Sequence, residues 1–187
     1  MIAHDISAVI DNIVERNGRI CEFWSVSHGW ASPEAADLLS RSRLDLQVSM
    51  SETLHYWTDK AGPGDLVLGW ANIGALMEGT LKWFLAVFYD DYRNDLDAKR
   101  DKHGNLVNPD GLKLELLRQF FQKKIDHIYD AHKAFIERAQ FRRNAIHTFK
   151  HREIGTHDEL QQGIIDYRAL LEDADGIIPY PTREDWN

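Results

Sequence analysis

Cysteine is almost missing from this chain: Cys21 stands alone among 187 residues. A single thiol excludes an internal disulfide framework and a cysteine-rich zinc site, and it fits a reducing compartment. Positive charge is also in short supply. Lys and Arg number 22 against 30 Asp and Glu, giving a formal net charge of −8 and a pI near 5.5. A protein that wraps nucleic acid with its whole surface is strongly basic, so any such contact here must be local. No basic run leads into an apolar stretch near Met1, which predicts no secretory leader and a cytoplasmic protein. The nearest approach to a membrane span, Leu66 to Tyr89, holds Glu78 and Lys82 near its middle. Each such charge costs about 2.5–3.5 kcal/mol at a bilayer centre, so this segment is expected as a buried helix and no membrane contact follows. Neither a phosphate-cradling glycine loop ending in Gly-Lys-Ser/Thr nor a Gly-x-Ser-x-Gly elbow occurs. Sustained period-two alternation is absent as well, so a sheet larger than a hairpin has no raw material.

What remains is ample for one core: 43% of residues are apolar and 11% aromatic. Length and the lack of a linker predict one domain over 1–187. Ile6, Val9, Ile10, Ile13 and Val14 recur at helical spacing, followed by Ile20, Phe23 and Trp24 beyond Asn17-Gly18. Ser32-Pro33-Glu34 supplies a helix start, predicting a second helix to about Trp57, where Gly62-Pro63-Gly64 stops it. A third helix is expected from near Asp65 past Phe88, with the stripe Trp70, Gly74, Met77, Leu81, Phe84, Phe88. The polar stretch 93–110 is long for a bundle connection and leaves room for a short hairpin. From Asp110 the spacing predicts one helix to about Lys150, its seam running through Leu117, Phe121, Ile125, Ile128, His132, Phe135, Ala139, Arg142, Ile146 and Phe149. Thr156 and Glu159 form a capping-box pattern opening a last helix to roughly Ala174, and Pro179 and Pro181 mark an irregular tail. The expected fold is an all-α, up-and-down antiparallel bundle of about five helices.

Chemistry concentrates in one place. From Arg138 to Arg152 the chain carries Arg138, Arg142, Arg143, Lys150 and Arg152 with no acid, and His147 and His151 lie among them. This is a local basic island in an acidic protein, suited to holding a few phosphates; a solvated helix face is the alternative. Two arginine–histidine spacings occur, Arg142 to His147 and Arg152 to His157, the second crossing Gly155 and the Thr156 cap.

The segment Arg143-Asn144-Ala145-Ile146-His147-Thr148-Phe149, at the end of a long helix and preceded by the stretch Gly74 to Leu85, resembles the HEPN superfamily. That family is all-helical and defined by an arginine, four to six residues and a histidine. The likeness runs from the third helix to the last. It implies a metal-independent RNA endonuclease, toxin or phage-defence effector, without cofactor, acting as a homodimer whose two motifs share a cleft. An antitoxin partner is implied with it. On this reading His147 is the acid–base group, Arg142 or Arg143 binds and stabilises the scissile phosphate, and Asn144 orients a ligand group or the histidine. Arg138, Lys150 and Arg152 would contact further phosphates. The spacing departs from the family pattern: Arg142 is followed by Arg143 rather than Asn, and Arg143 lies one position too close to His147. On a continued helix Arg143 and His147 share a face. A non-catalytic module binding RNA, nucleotide or protein is the alternative.

Glu78, flanking the stripe of the third helix, needs a cationic partner if buried. Lys82 four residues on is one answer, and Arg142 or Arg143 is the other. His147, His151 and His157 with Glu153 and Asp158 form a rival cluster with partial metal-ligand spacing, as do Asp126, His127, Asp130 and His132. The surrounding arginines repel a dication, so no metal is assigned. His132, on the seam, is expected as a hydrogen-bonded core histidine. Trp30, beside Gly29, is the tryptophan expected at the surface.

Overall fold

A computed structural model describes residues 5–147 and 149–180. Among them are eight α-helices: α1 Ile6–Trp24, α2 Pro33–Arg41, α3 Leu44–Glu52, α4 Pro63–Val87, α5 Tyr89–Asn94, α6 Leu114–Lys124, α7 Asp126–Arg143 and α8 His157–Ile177. Short 3-10 turns cover Thr53–Trp57, Pro109–Gly111 and Asn144–Ile146. No strand occurs among the described residues, only isolated bridges at His28–Ala31 and Arg100–Leu106. The Arg100–Leu106 bridge is the remnant of a hairpin in the polar stretch. The protein is an all-α helical bundle.

The starts follow local chemistry. The Asp5 carboxylate accepts from the Ser7 N–H at 3.0 Å and caps α1. Pro33 and Pro63 occupy first-turn positions, where no helical N–H is needed. Thr156 and Glu159 complete their reciprocal capping box at α8, and that helix continues to Ile177.

The breaks within the expected blocks do not involve proline or glycine. The second block parts at Ser42-Arg43, where the Ser42 hydroxyl donates to the Leu39 carbonyl at 2.6 Å and the backbone turns extended. The expected helix from Asp110 to Lys150 divides at Ile125, with φ −129° and ψ 50°. That kink folds α6 back on α7: Gln140 donates to Glu115 at 2.8 Å, and Arg118 donates to the Tyr129 hydroxyl at 3.0 Å. Leu117 and Phe121 on α6 and Tyr129 and Ile136 on α7 all bury completely. An unbroken helix could not place both sets in one core. The expectation for Pro181 lies outside the described residues.

Residue pairings give the directions. Asp11 meets His55 at 3.1 Å, with Cys21 near Asp45, so α1 opposes the α3 segment. Gln47 donates to the Leu76 carbonyl at 2.7 Å and Asn72 to Thr53 at 2.6 Å, so α3 opposes α4. His132–Asp173 at 2.8 Å, Arg138–Asp166 and Arg142–Glu159 at 2.9 Å set α7 against α8. Down-running α3 and α7 thus alternate with up-running α1, α4 and α8. The helix α4 lies at the centre, burying Trp70, Ile73, Leu76, Met77 and Leu81 fully. It meets α8 closely because Gly163 has no side chain: a Cβ there would lie 2.6 Å from the Trp70 ring. Glu78 and Lys82 interrupt the apolar run of the continuous α4, and among the described residues no helix is long and apolar enough to cross a membrane. His132 is the hydrogen-bonded interior histidine that its seam position predicts.

Candidate functional site

The basic island occupies the last two turns of α7 and the segment leading to α8. The helix does not reach Lys150. It ends at Arg143, tightens into the Asn144–Ile146 turn, and releases at His147 with φ −86° and ψ 80°. The reason lies in burial. Ile146 and Phe149 continue the apolar period, yet Ile146 is half exposed and Phe149 wholly so. With no core to receive them, helix continuation gains nothing from packing. Consequently Arg143 and His147 do not share a regular helix face.

The two neighbouring arginines have opposite fates. Arg142 is 5% exposed. Its Nη2 donates to Glu159 Oε1 at 2.9 Å and lies 3.5 Å from Glu153 Oε1. Its guanidinium carbon sits 5.0 Å from the centre of the Trp70 ring, within cation–π range. Gly155 closes over it with φ +74°, and a Cβ at Gly155 would lie 2.5 Å from the guanidinium. Arg142 therefore clamps α4, α7 and the start of α8 together.

Arg143 turns toward the middle of α4. Its Nη1 donates to Glu78 Oε2 and approaches the Gly74 carbonyl at 3.5 Å. A Cβ at Gly74 would come 2.7 Å from the Arg143 side chain, so the glycine makes room for this arginine. Glu78 also takes Lys82 at 2.8 Å. Burial pushes the Glu78 carboxyl up, but the hydrogen bonds from Lys82 and Arg143 outweigh it and hold it below its ordinary value. Of the partners open to Glu78 in the sequence, Lys82 and Arg143 both serve it, and Arg142 does not.

The rest of the island divides the same way. Arg138 is engaged by Asp166 of α8. Lys150 is exposed, and neither it nor Arg152 forms an ion pair among the described residues. Arg152 lies 5.5 Å over the Phe141 ring, which is itself half exposed. Both line, with half-buried Asn144, a shallow cleft of about 360 Å³ that Glu115, Arg118, Glu137 and Gln140 complete. His147 and His151 are exposed. Three of the five basic groups are thus answered by carboxylates, which leaves the free positive charge on Lys150 and Arg152.

The rival constellations do not assemble. His157 Nε2 contacts the Trp57 carbonyl at 3.2 Å, and His132 is taken by Asp173. Among the described residues no group of three His, Cys, Asp or Glu side chains could hold a metal ion. Trp30 is 37% exposed. Sequence reading did not find Trp70, Gly155 and Glu159 as the Arg142 cradle. Only Glu159 left a signal there, as the third residue of the capping box. Comparison with protein-family models, curated proteins and solved structures returns no match to this chain.

Proposed function

We propose that this bundle is a metal-independent RNA endonuclease of the HEPN type. The observation carrying the reading is the Arg143–Glu78 pair four residues from an exposed His147. Among the described residues Glu78 and the Gly74 carbonyl engage Arg143 through Nη1 alone, so Nε and Nη2 remain for a phosphate. A guanidinium held this way stabilises charge building on the phosphate oxygens. The imidazole of His147, exposed beside the arginine, serves as acid or base. The 2′-hydroxyl attacks the adjacent phosphorus, the bond to the 5′ oxygen breaks, and a 2′,3′-cyclic phosphate and a 5′-hydroxyl result. Arg142, buried on Glu159, positions the end of α7 rather than meeting RNA. Asn144 and Arg152 line the neighbouring cleft, exposed Lys150 adds positive charge, and Arg138 holds α7 on α8. One such half-site is small, and the exposed Phe141, Ile146 and Phe149 around it suit a second copy, so the active form is a cytoplasmic homodimer. A toxin or phage-defence role, with an antitoxin as neutralising partner, belongs to this reading.

The second reading is a non-catalytic RNA- or protein-binding module. It is favoured by the commitment of Arg138, Arg142 and Arg143 to carboxylates. One assay separates the two: mixed RNA incubated with the pure protein in EDTA. Cleavage that falls about 10²–10⁴-fold in His147→Ala, and is not restored by Arg143→Lys in place of Arg143→Ala, supports the enzyme. RNA binding without cleavage by both wild type and His147→Ala supports the module. Equal cleavage by His147→Ala and wild type ends the assignment of His147.

A further inference from the structure

A separate cavity of about 240 Å³ opens where α4, α5 and the end of α6 meet, beside the Ile125 kink. Aromatic rings dominate its wall. Phe84 and Phe88 lie 4.9 Å apart at a 45° tilt, and Tyr92 and Phe120 meet edge to face at 5.1 Å. Two carboxylates, Asp91 and Asp95, join them.

The charges there do not balance. Lys124 reaches Asp95 at 3.0 Å and Asp97 at 2.9 Å, and Lys123 also holds Asp97. Those groups satisfy one another. His127, which also lines the cavity, has Asp126 3.9 Å away. Asp91 is exposed, and its side chain has no ion pair or hydrogen bond among the described residues. A carboxylate without a partner therefore stands beside four aromatic rings.

We propose that this cavity binds a small organic cation, an alkyl- or arylammonium ion. Ring faces attract cations within about 6 Å through their quadrupole, and the carboxylate supplies the opposing charge. Size argues in the same direction, because the volume falls below the ~300–1,000 Å³ of ordinary ligand pockets. That leaves room for one ring or a short branched chain, not a nucleotide. An anion would meet Asp91 unfavourably, and a neutral ligand would gain nothing from it. The site is independent of the RNA reading: its test is binding, so loss of either proposal leaves the other standing.

Benzylammonium titrated into the full chain near neutral pH by calorimetry, with benzyl alcohol and benzoate as neutral and anionic analogues, tests the site. The ammonium should bind at least about fivefold more tightly than the alcohol, and benzoate more weakly than either. Asp91→Asn, at an exposed position, should reduce the ammonium to the level of the alcohol and leave the alcohol unchanged. Phe88→Leu should weaken the ammonium more than the alcohol. No ammonium binding up to about 10 mM, equal affinity for ammonium and alcohol, or a preference that survives Asp91→Asn would each overturn the proposal.

Discussion

Oε1 of Glu159 accepts from Arg142 Nη2 at 2.9 Å, while Oε2 of the same carboxylate accepts from the Thr156 N–H, also at 2.9 Å. The cap of α8 and the burial of Arg142 are therefore one unit. Its consequence is mechanical: the segment carrying Lys150, His151 and Arg152 is anchored at both ends, by α7 and by the α8 cap.

Removing that anchor should be costly. Arg142→Ala leaves space beneath Trp70 and frees Glu159, which is only half buried, so the expected loss is about 2–4 kcal/mol. Glu159→Gln should lose about 1 kcal/mol, and the double variant should lose less than the sum. Urea denaturation midpoints measure all three; an unchanged midpoint in Arg142→Ala would remove its clamping role.

Two glycines make a paired test of backbone effects. Gly155→Ala must hold φ +74° and place a methyl against the Arg142 guanidinium, so it should destabilise by about 1–3 kcal/mol. Gly18→Ala lies inside α1 with nothing near its Cβ and should stabilise by about 0.5–1 kcal/mol. Melting temperatures that move in the same direction for both would contradict the geometry around Gly155.

Acid should weaken the fold through specific carboxylates. Hydrogen bonds from Arg118 first, then Gln140 and Gln119, lower Glu115 from 4.5 to about 2. Glu159 is lowered chiefly by Arg142, and Glu78 is lowered despite its burial. A group depressed in the folded state contributes its full stability above the unfolded pKa and loses it as pH falls through the folded one. These contributions are therefore intact at pH 6 and lost from about pH 4.5 downward. Denaturation midpoints measured between pH 6 and 3 should drop in that window, and Glu115→Gln should flatten the drop. A midpoint independent of pH across that range would count against these pairings.

Assembly has its own readout. Light scattering should report twice the 21.6 kDa chain mass at micromolar concentration, and Phe149→Asp should shift it to the single-chain mass without unfolding. Phe149 is fully exposed in the single chain, so a folded monomer is the expected product. A wild-type mass near 21.6 kDa would remove the dimer from the proposed function.

Much of the architecture was legible because it rests on local chemistry. The α8 start was readable from Thr156 and Glu159, whereas Gly62-Pro63-Gly64, read as a stop before a helix from near Asp65, opens α4 at Pro63 itself. The site was less so. Arg142 and Arg143 are adjacent and chemically alike, and helical spacing alone does not say which one α8 covers. The choice follows from Gly155 and Trp70 arriving from elsewhere in the chain.

The sequence by itself determined that this chain is all-helical, with α4 buried despite Glu78 and Lys82, and that a run of five basic residues without an acid precedes α8. Apolar period, capping residues and composition are properties of neighbours in the chain, so they act before any tertiary contact forms. The tertiary structure alone decided the kink at Ile125, the helix end at Arg143 and the exposure of Ile146 and Phe149. It also decided that Glu78 holds Arg143 while Glu159 holds Arg142. Helices continue where burial compensates the entropy of ordering them, and ion pairs form where remote helices meet. Both conditions depend on what packs against a segment, which its own residues do not state.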